Sequence, residues 1–257
     1  TRIFMLPIFP FRVAPQPAQK SGTLVPEPSA AICFSKAPLC QAGPCGKLLY
    51  ITRSTILEHF PYKFKEFSRK MQEKMKICAV ICELNPLHSG HQALFTYAKE
   101  RFPGLVCVLS GNFVQRGEPA LLDKWARTRL ALESGADLVL ELPLPWAMAG
   151  AERFAAGGVA LARALGCVDT LVFGSEGADI RPLWQLAEAL LSPGFSRALG
   201  QVDSTLPFAQ RRQRAAALLV GEETAALLEK PNCILGVEYL KAMLSQGGGL
   251  EAETFLR

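Results

Sequence analysis

The sequence holds only three histidines in 257 residues, and none of its eight cysteines forms a Cys-x-x-Cys pair. A structural zinc site therefore has no ligand set to draw on, and no residues are assigned to a metal. No apolar run approaches the roughly 18 residues of a membrane span, which argues against a transmembrane helix. The body of the chain also lacks a surplus of positive charge. The formal net charge is +5, but residues 1–74 carry 11 Lys+Arg against 4 Asp+Glu, while residues 75–257 carry 17 against 19. Composition thus gives no global electrostatic case for nucleic-acid binding. What is present is ordinary globular material, 49% apolar and 20% charged, which excludes a wholly disordered chain. The length suits one large domain or two small ones with a sizeable core. Cys78, Cys82 and Cys107 lie in apolar, strand-like runs, where thiols act as small hydrophobes in a reducing cytoplasm.

The organisation changes near residue 75. Residues 1–50 contain eight of the 18 prolines and one acidic residue, Glu27. That density blocks helices and most strands, so residues 1–74 read as a disordered or non-native extension, with a short basic helix as an option within 51–74. Because the chain opens on Thr1, a fragment or processed product is expected, with Met75 as a candidate true start. Gly43-Pro44-Cys45-Gly46-Lys47 fails the phosphate-loop pattern, which needs four residues between its glycines and Ser or Thr after the Lys.

From Met75 onward, apolar strands at 77–82, 105–110, 137–142 and 169–173 alternate with helical patterns at 89–101, from Glu118-Pro119 to Gly135, and 151–165. This alternation predicts β-α-β units and an α/β fold, a Rossmann-like open parallel sheet, across residues 75–180. Residues 181–257 read as helix only, near 182–192, 206–219 and 236–246.

Ligands of such sheets bind at the carboxyl ends of the strands, beside helix N-termini. The unusual residues collect there. Glu83-Leu84-Asn85-Pro86-Leu87-His88-Ser89-Gly90-His91 follows the first strand and places two of the three histidines at a helix mouth. Gly90 admits close approach to the backbone, free N–H groups favour an anion, and imidazoles can stabilise charge developing in nucleotidyl transfer. Beyond the helix, Asn112, Gln115 and Arg116 form a polar loop after the second strand, to be read as the lining of an acceptor site or as solvated loop. Arg211, Arg212 and Arg214 form the densest basic cluster of the body, a solvated helix face by default and an RNA-backbone contact otherwise.

The H-x-G-H loop resembles that of the nucleotidylyl-transferases. Longer stretches narrow the resemblance: Ser110-Gly111-Asn112-Phe113-Val114-Gln115-Arg116-Gly117-Glu118-Pro119-Ala120, Asp123-Lys124-Trp125-Ala126-Arg127-Thr128, Gly135 to Pro143, Phe173-Gly174-Ser175-Glu176, and Lys230 to Gly236. Together these resemble the bacterial tRNA(Met) cytidine acetate ligase family from Met75 to Arg257. The resemblance implies use of ATP, with Mg²⁺, to form acetyl-adenylate from acetate. The acetyl group then passes to the wobble cytidine of elongator tRNA(Met). It assigns catalysis to His88 and His91. It assigns ATP binding to Ile81, Cys82, Glu83, Leu84, Asn85, Pro86, Leu87, His88, Ser89, Gly90, His91, Gln92, Ala93 and Leu94, with Gly174, Asn232 and Arg257 further on. It also implies a cytoplasmic protein. Gly174 is otherwise a turn, and Asn232 otherwise a helix N-cap.

Departures from the family pattern are Leu84, Leu87 and Ser89 for Tyr, Phe and Asn, and Cys233 for a second Asn. Family members continue for over a hundred residues of tRNA-engaging helical region, so a chain ending at Arg257 is expected to bind ATP with tRNA modification in question. The remaining alternatives are an adenylyltransferase acting on a small phosphorylated acceptor and a non-catalytic ATP- or RNA-binding fragment. Oligomeric state stays open.

Overall fold

A computed structural model describes residues 69, 70, 73, 75–177 and 179–257. The Pro-rich residues 1–50 and the Gly43–Lys47 stretch lie outside the described residues. In chain order the main elements are β1 (Ile77–Cys82), α1 (Ser89–Arg101), β2 (Gly104–Ser110), α2 (Lys124–Glu133), β3 (Leu138–Leu142), α3 (Leu144–Ala147), α4 (Ala151–Ala164), β4 (Thr170–Ser175), α5 (Arg181–Leu191), α6 (Pro193–Gln201), α7 (Phe208–Val220), α8 (Glu222–Ala225), α9 (Pro231–Ser245) and β5 (Glu251–Leu256). The sheet order is β3-β2-β1-β4-β5 and every pairing is parallel. The order reverses between β1 and β4, which makes that crevice the topological switch point of an open α/β sheet. Among the described residues no helix is long and apolar enough to cross a membrane.

β1 and β2 are buried at every position, as expected for parallel strands covered on both faces. Alternation splits β1 between two cores. Ile77, Ala79 and Ile81 pack with residues of α4, α5 and α9, whereas Cys78, Val80 and Cys82 pack with Leu94, Phe95 and Ala98 of α1. The three expected buried thiols are thus buried, and burial pushes that of Cys78 up to about 12. On the α4 face, a Cβ at Gly157 would stand 2.2 Å from Trp146 Cγ, so α4 meets its neighbours only without a side chain there.

The amino-terminal edge of the sheet is fastened by two aspartates. Asp169 Oδ2 accepts from Ile77 N at 2.7 Å, and Asp137 Oδ2 accepts from Leu105 N at 2.8 Å. Asp137 also receives Lys99 Nζ at 2.9 Å and Lys70 Nζ at 3.0 Å. Lys70, which lies within the expected extension, is helical and buried.

Two expectations fail here. The segment after residue 181 is not helical only: Glu251–Leu256 is a fifth strand, pairing along its length with β4. Its exposed ends and partly buried middle fit an edge strand, with Ala252 against one core and Phe255 against the other, and Gly247, Gly248 and Gly249, at φ 86°, 68° and 89°, turn the chain into it. The second correction concerns Glu118-Pro119, which opens no helix. Val114 N donates to Glu118 O and Ala120 N to Asn112 O, both at 2.9 Å, folding 112–120 back on itself. The helix begins at Lys124 because the Asp123 carboxylate accepts from Trp125 N and Ala126 N at 2.8 and 2.9 Å. α9 likewise starts at Pro231 rather than at 236, with proline in its first turn.

Candidate functional site

The loop leaving β1 lies beside the switch point and is held by its own side chains. Leu84 is fully buried at φ 50°, a backbone setting that a non-glycine residue takes only under local constraint. Glu83 Oε1 accepts from Gln115 N and Asn85 Oδ1 from Leu121 N, both at 2.7 Å, which ties this loop to the one after β2. Burial pushes the Glu83 carboxyl above its ordinary range. His88 then caps α1: its Nδ1 accepts from Gly90 N at 3.1 Å, and His91 Nδ1 lies 3.4 Å from His88 N. The two ring centroids lie 3.8 Å apart with the planes tilted by 32°. Burial, His88 and Arg257 together lower the His91 imidazole to about 4, so it is neutral at pH 7.

Arg257 enters from the end of β5, where its N–H donates to Ser175 O at 2.9 Å. A Cβ on Gly174 would lie 3.3 Å from Arg257 Cδ, and one on Gly90 would lie 3.2 Å from Arg257 Nε. The two glycines therefore make the slot through which the guanidinium reaches the α1 N-terminus. There Arg257 Nη2 lies 2.7 Å from His88 Nε2, and Nη1 donates to Asn232 Oδ1 at 2.8 Å. A neutral imidazole has one acceptor nitrogen, yet His88 faces two donors, Gly90 N at Nδ1 and Arg257 Nη2 at Nε2, so it satisfies one of them and leaves the other to a further acceptor.

The structure therefore brings His88, Gly90, His91, Gly174, Asn232 and Arg257 together from five separate elements or loops. Ile81, Cys82, Leu84 and Leu94 belong to the same stretch, but their side chains are buried in the core. Pro86, Ser89, Gln92 and Ala93 are exposed, and Leu87 is partly so. Asn232 is not an N-cap: Lys230 holds that position. Asn112 is a structural ligand of the next helix, its Oδ1 accepting from Lys124 N at 3.0 Å. Gln115 Nε2 is buried with no hydrogen-bond partner, and Arg116 is exposed at φ 67°. The arginine cluster is divided, because Arg212 turns inward to the buried Glu238 at 2.5 Å while Arg214 stays exposed.

Two residues escape sequence reasoning. Arg127, fully buried, donates to the backbone carbonyls of Glu83, Gly111 and Leu122 and so clamps the ends of β1 and β2. Its only sequence signal is a basic residue on the apolar side of a helix. Glu176 accepts at Oε1 from Asn232 N and Nδ2, at 3.1 and 2.8 Å, and at Oε2 from Cys233 N at 2.9 Å. Its signal is a charged residue immediately after a buried strand. Among the described residues no group of three or more His, Cys, Asp or Glu side chains could hold a metal ion. The described side chains thus offer Mg²⁺ no cage of their own.

Comparison with known proteins agrees with this geometry. A model of the HIGH nucleotidyl transferase family matches residues 75–257. The chain is 43% identical over 177 residues to the tRNA(Met) cytidine acetate ligase of Caldanaerobacter subterraneus, covering 66% of this chain and 44% of that protein. It is 42% identical over 176 residues to the enzyme of the same name from Acetivibrio thermocellus, covering 66% and 42%. The crystal structure of Thermotoga maritima TmcAL bound with alpha-thio ATP superposes with a TM-score of 0.66 at 39% identity, covering 70% of this chain and 46% of that one. The chain thus spans less than half the length of the relatives it matches. With the parallel sheet, its switch point and the histidine pair in place, the chain belongs to the HIGH nucleotidyl transferase family.

Proposed function

We propose that this chain binds ATP against His88, His91 and Arg257, joins it to acetate as acetyl-adenylate, and serves transfer of the acetyl group to the wobble cytidine of elongator tRNA(Met). The observation that carries the reading is that His88, with one lone pair, meets two donors, Gly90 N and Arg257 Nη2, at a helix N-terminus. A phosphate oxygen placed there accepts from the Arg257 guanidinium and from an imidazole N–H. The relatives named above, and the alpha-thio ATP bound by the Thermotoga maritima protein, support the choice of nucleotide and acceptor.

In the first step an acetate oxygen attacks the α-phosphorus. The bond from that phosphorus to the bridging oxygen of the β-phosphate breaks, and pyrophosphate leaves with the electron pair. Charge grows on the leaving group, where the guanidinium and the imidazole N–H groups face it. The unpartnered Gln115 Nε2 and the strained Arg116 supply donors for a small carboxylate in the loop after β2. Glu83 ties that loop to the nucleotide loop. In the second step the cytidine N4 amine attacks the acetyl carbonyl, AMP leaves, and the amine loses a proton.

Acetate-dependent exchange of labelled pyrophosphate into ATP tests the first step. Exchange that requires acetate and vanishes in His91→Ala is the expected result. Exchange independent of acetate points to adenylyl transfer onto another acceptor, and binding without exchange points to a nucleotide-binding module; either overturns the acetate reading.

A further inference from the structure

Arg257 is a cation at the histidine pair, and among the described residues no carboxylate forms an ion pair with it. Its position is set instead by a neutral amide. Asn232 Oδ1 accepts from Arg257 Nη1 at 2.8 Å, while the Nδ2 of the same amide donates to Glu176 Oε1 at 2.8 Å. Glu176 also accepts from the backbone N–H groups of Asn232 and Cys233 in the first turn of α9. An amide can turn either end toward an arginine, and only the oxygen is attractive. With its NH₂ committed to a carboxylate, the Asn232 oxygen is obliged to face Arg257.

We infer that Glu176 is a positioning residue for Arg257, acting through Asn232, and that the amide is a spacer which passes on orientation without neutralising charge. A carboxylate bonded directly to Arg257 would hold it equally well but would compete with phosphate for its N–H groups. Set one residue back, Glu176 fixes the Asn232 amide and leaves the guanidinium cationic toward the nucleotide. The inference rests on the ATP-binding reading above, and it goes beyond helix capping, which asks only for the two backbone contacts.

ATP affinity measured by calorimetry on the full chain tests it, with melting temperature recorded alongside. In Glu176→Gln one face of the carboxylate becomes a donor and the amide of Asn232 is free to turn. The expected loss is about tenfold in Kd. In an Arg257→Ala background the same change is expected to cost under about twofold, because its effect runs through the missing guanidinium. Asn232→Ala keeps both backbone donors to Glu176 and so keeps α9 capped; it is expected to weaken ATP as much as Glu176→Gln and not to add to it. An equal loss from Glu176→Gln with and without Arg257, full additivity with Asn232→Ala, or no loss at all overturns the positioning role. If Arg257→Ala leaves ATP affinity intact, or wild type binds no ATP, it is the nucleotide reading itself that falls.

Discussion

Arg257 Nη2 and His88 Nε2 stand 2.7 Å apart although 169 residues separate them in the chain. One partner caps the helix that follows the first strand, and the other leaves the last strand of the sheet. A neutral His88 has one lone pair for the two donors that face it, Gly90 N and Arg257 Nη2. His88 therefore does two jobs that can be separated. His88→Asn keeps a good N-cap and removes the ring. Unfolding free energy is expected to move by no more than about 0.5 kcal/mol. Nucleotide affinity, read by calorimetry, is expected to fall about tenfold.

His91 gives a pH signature. Its folded-state value of about 4 lies below the usual 6.5 through burial, with His88 and Arg257 adding repulsion. Between those two values the unfolded chain binds more protons than the folded one, so this group's contribution to stability rises with pH and is lost as pH falls from 6.5 toward 4. A bound triphosphate favours the imidazolium. Calorimetry at pH 5.5 in two buffers of different ionisation enthalpy should therefore show proton uptake on ATP binding, and His91→Gln should reduce it.

Asp137 predicts the opposite end of the molecule's behaviour. Burial alone would raise its carboxyl, but Lys99, the Leu105 N–H and Lys70 outweigh burial and hold it below the ordinary range. Its stabilisation is complete above the unfolded carboxylate value and disappears as pH falls through the lower folded one. Asp137→Asn is expected to cost about 2–3 kcal/mol in urea unfolding at pH 7 and progressively less as the pH falls below the ordinary carboxylate range.

Gly157→Ala should be costly for steric reasons alone. The added methyl meets Trp146 Cγ at 2.2 Å and Cβ at 2.5 Å, atoms near the root of that side chain that cannot swing away. A loss of about 1–3 kcal/mol in thermal or urea unfolding is expected, with nucleotide affinity per folded molecule unchanged.

Much of this fold is written in local pattern. The four strands from Ile77 to Ser175 are short apolar runs between helical repeats, and the two histidines flanking Gly90 stand where a parallel sheet puts its ligands. Glu251–Leu256 is illegible for a physical reason: as a partly covered edge strand, Glu251-Ala252-Glu253-Thr254-Phe255-Leu256 shows neither alternation nor an apolar run, and the three glycines before it carry the better signal. The start of α2 escapes local pattern because Pro119 suits a first helical turn, whereas the deciding interaction is the Asp123 carboxylate four residues later. Arg257, Asn232 and Gly174 reached the sequence reading by family resemblance alone. No spacing rule joins them, since their meeting depends on β5 pairing with β4. Glu176 and Arg127 act on backbone groups and on one amide, partners that leave no mark in residue type.

The placement of β5 also sets an order of assembly. During synthesis from the amino end, β1 through β4 and the helix bearing both histidines emerge first, and some 75 residues separate Ser175 from the start of β5. Arg257 arrives only when that strand docks against β4. On the proposed function, a nascent chain displays the paired imidazoles well before it can grip a triphosphate, and the appearance of nucleotide affinity on a stalled ribosome would time the closing of the sheet.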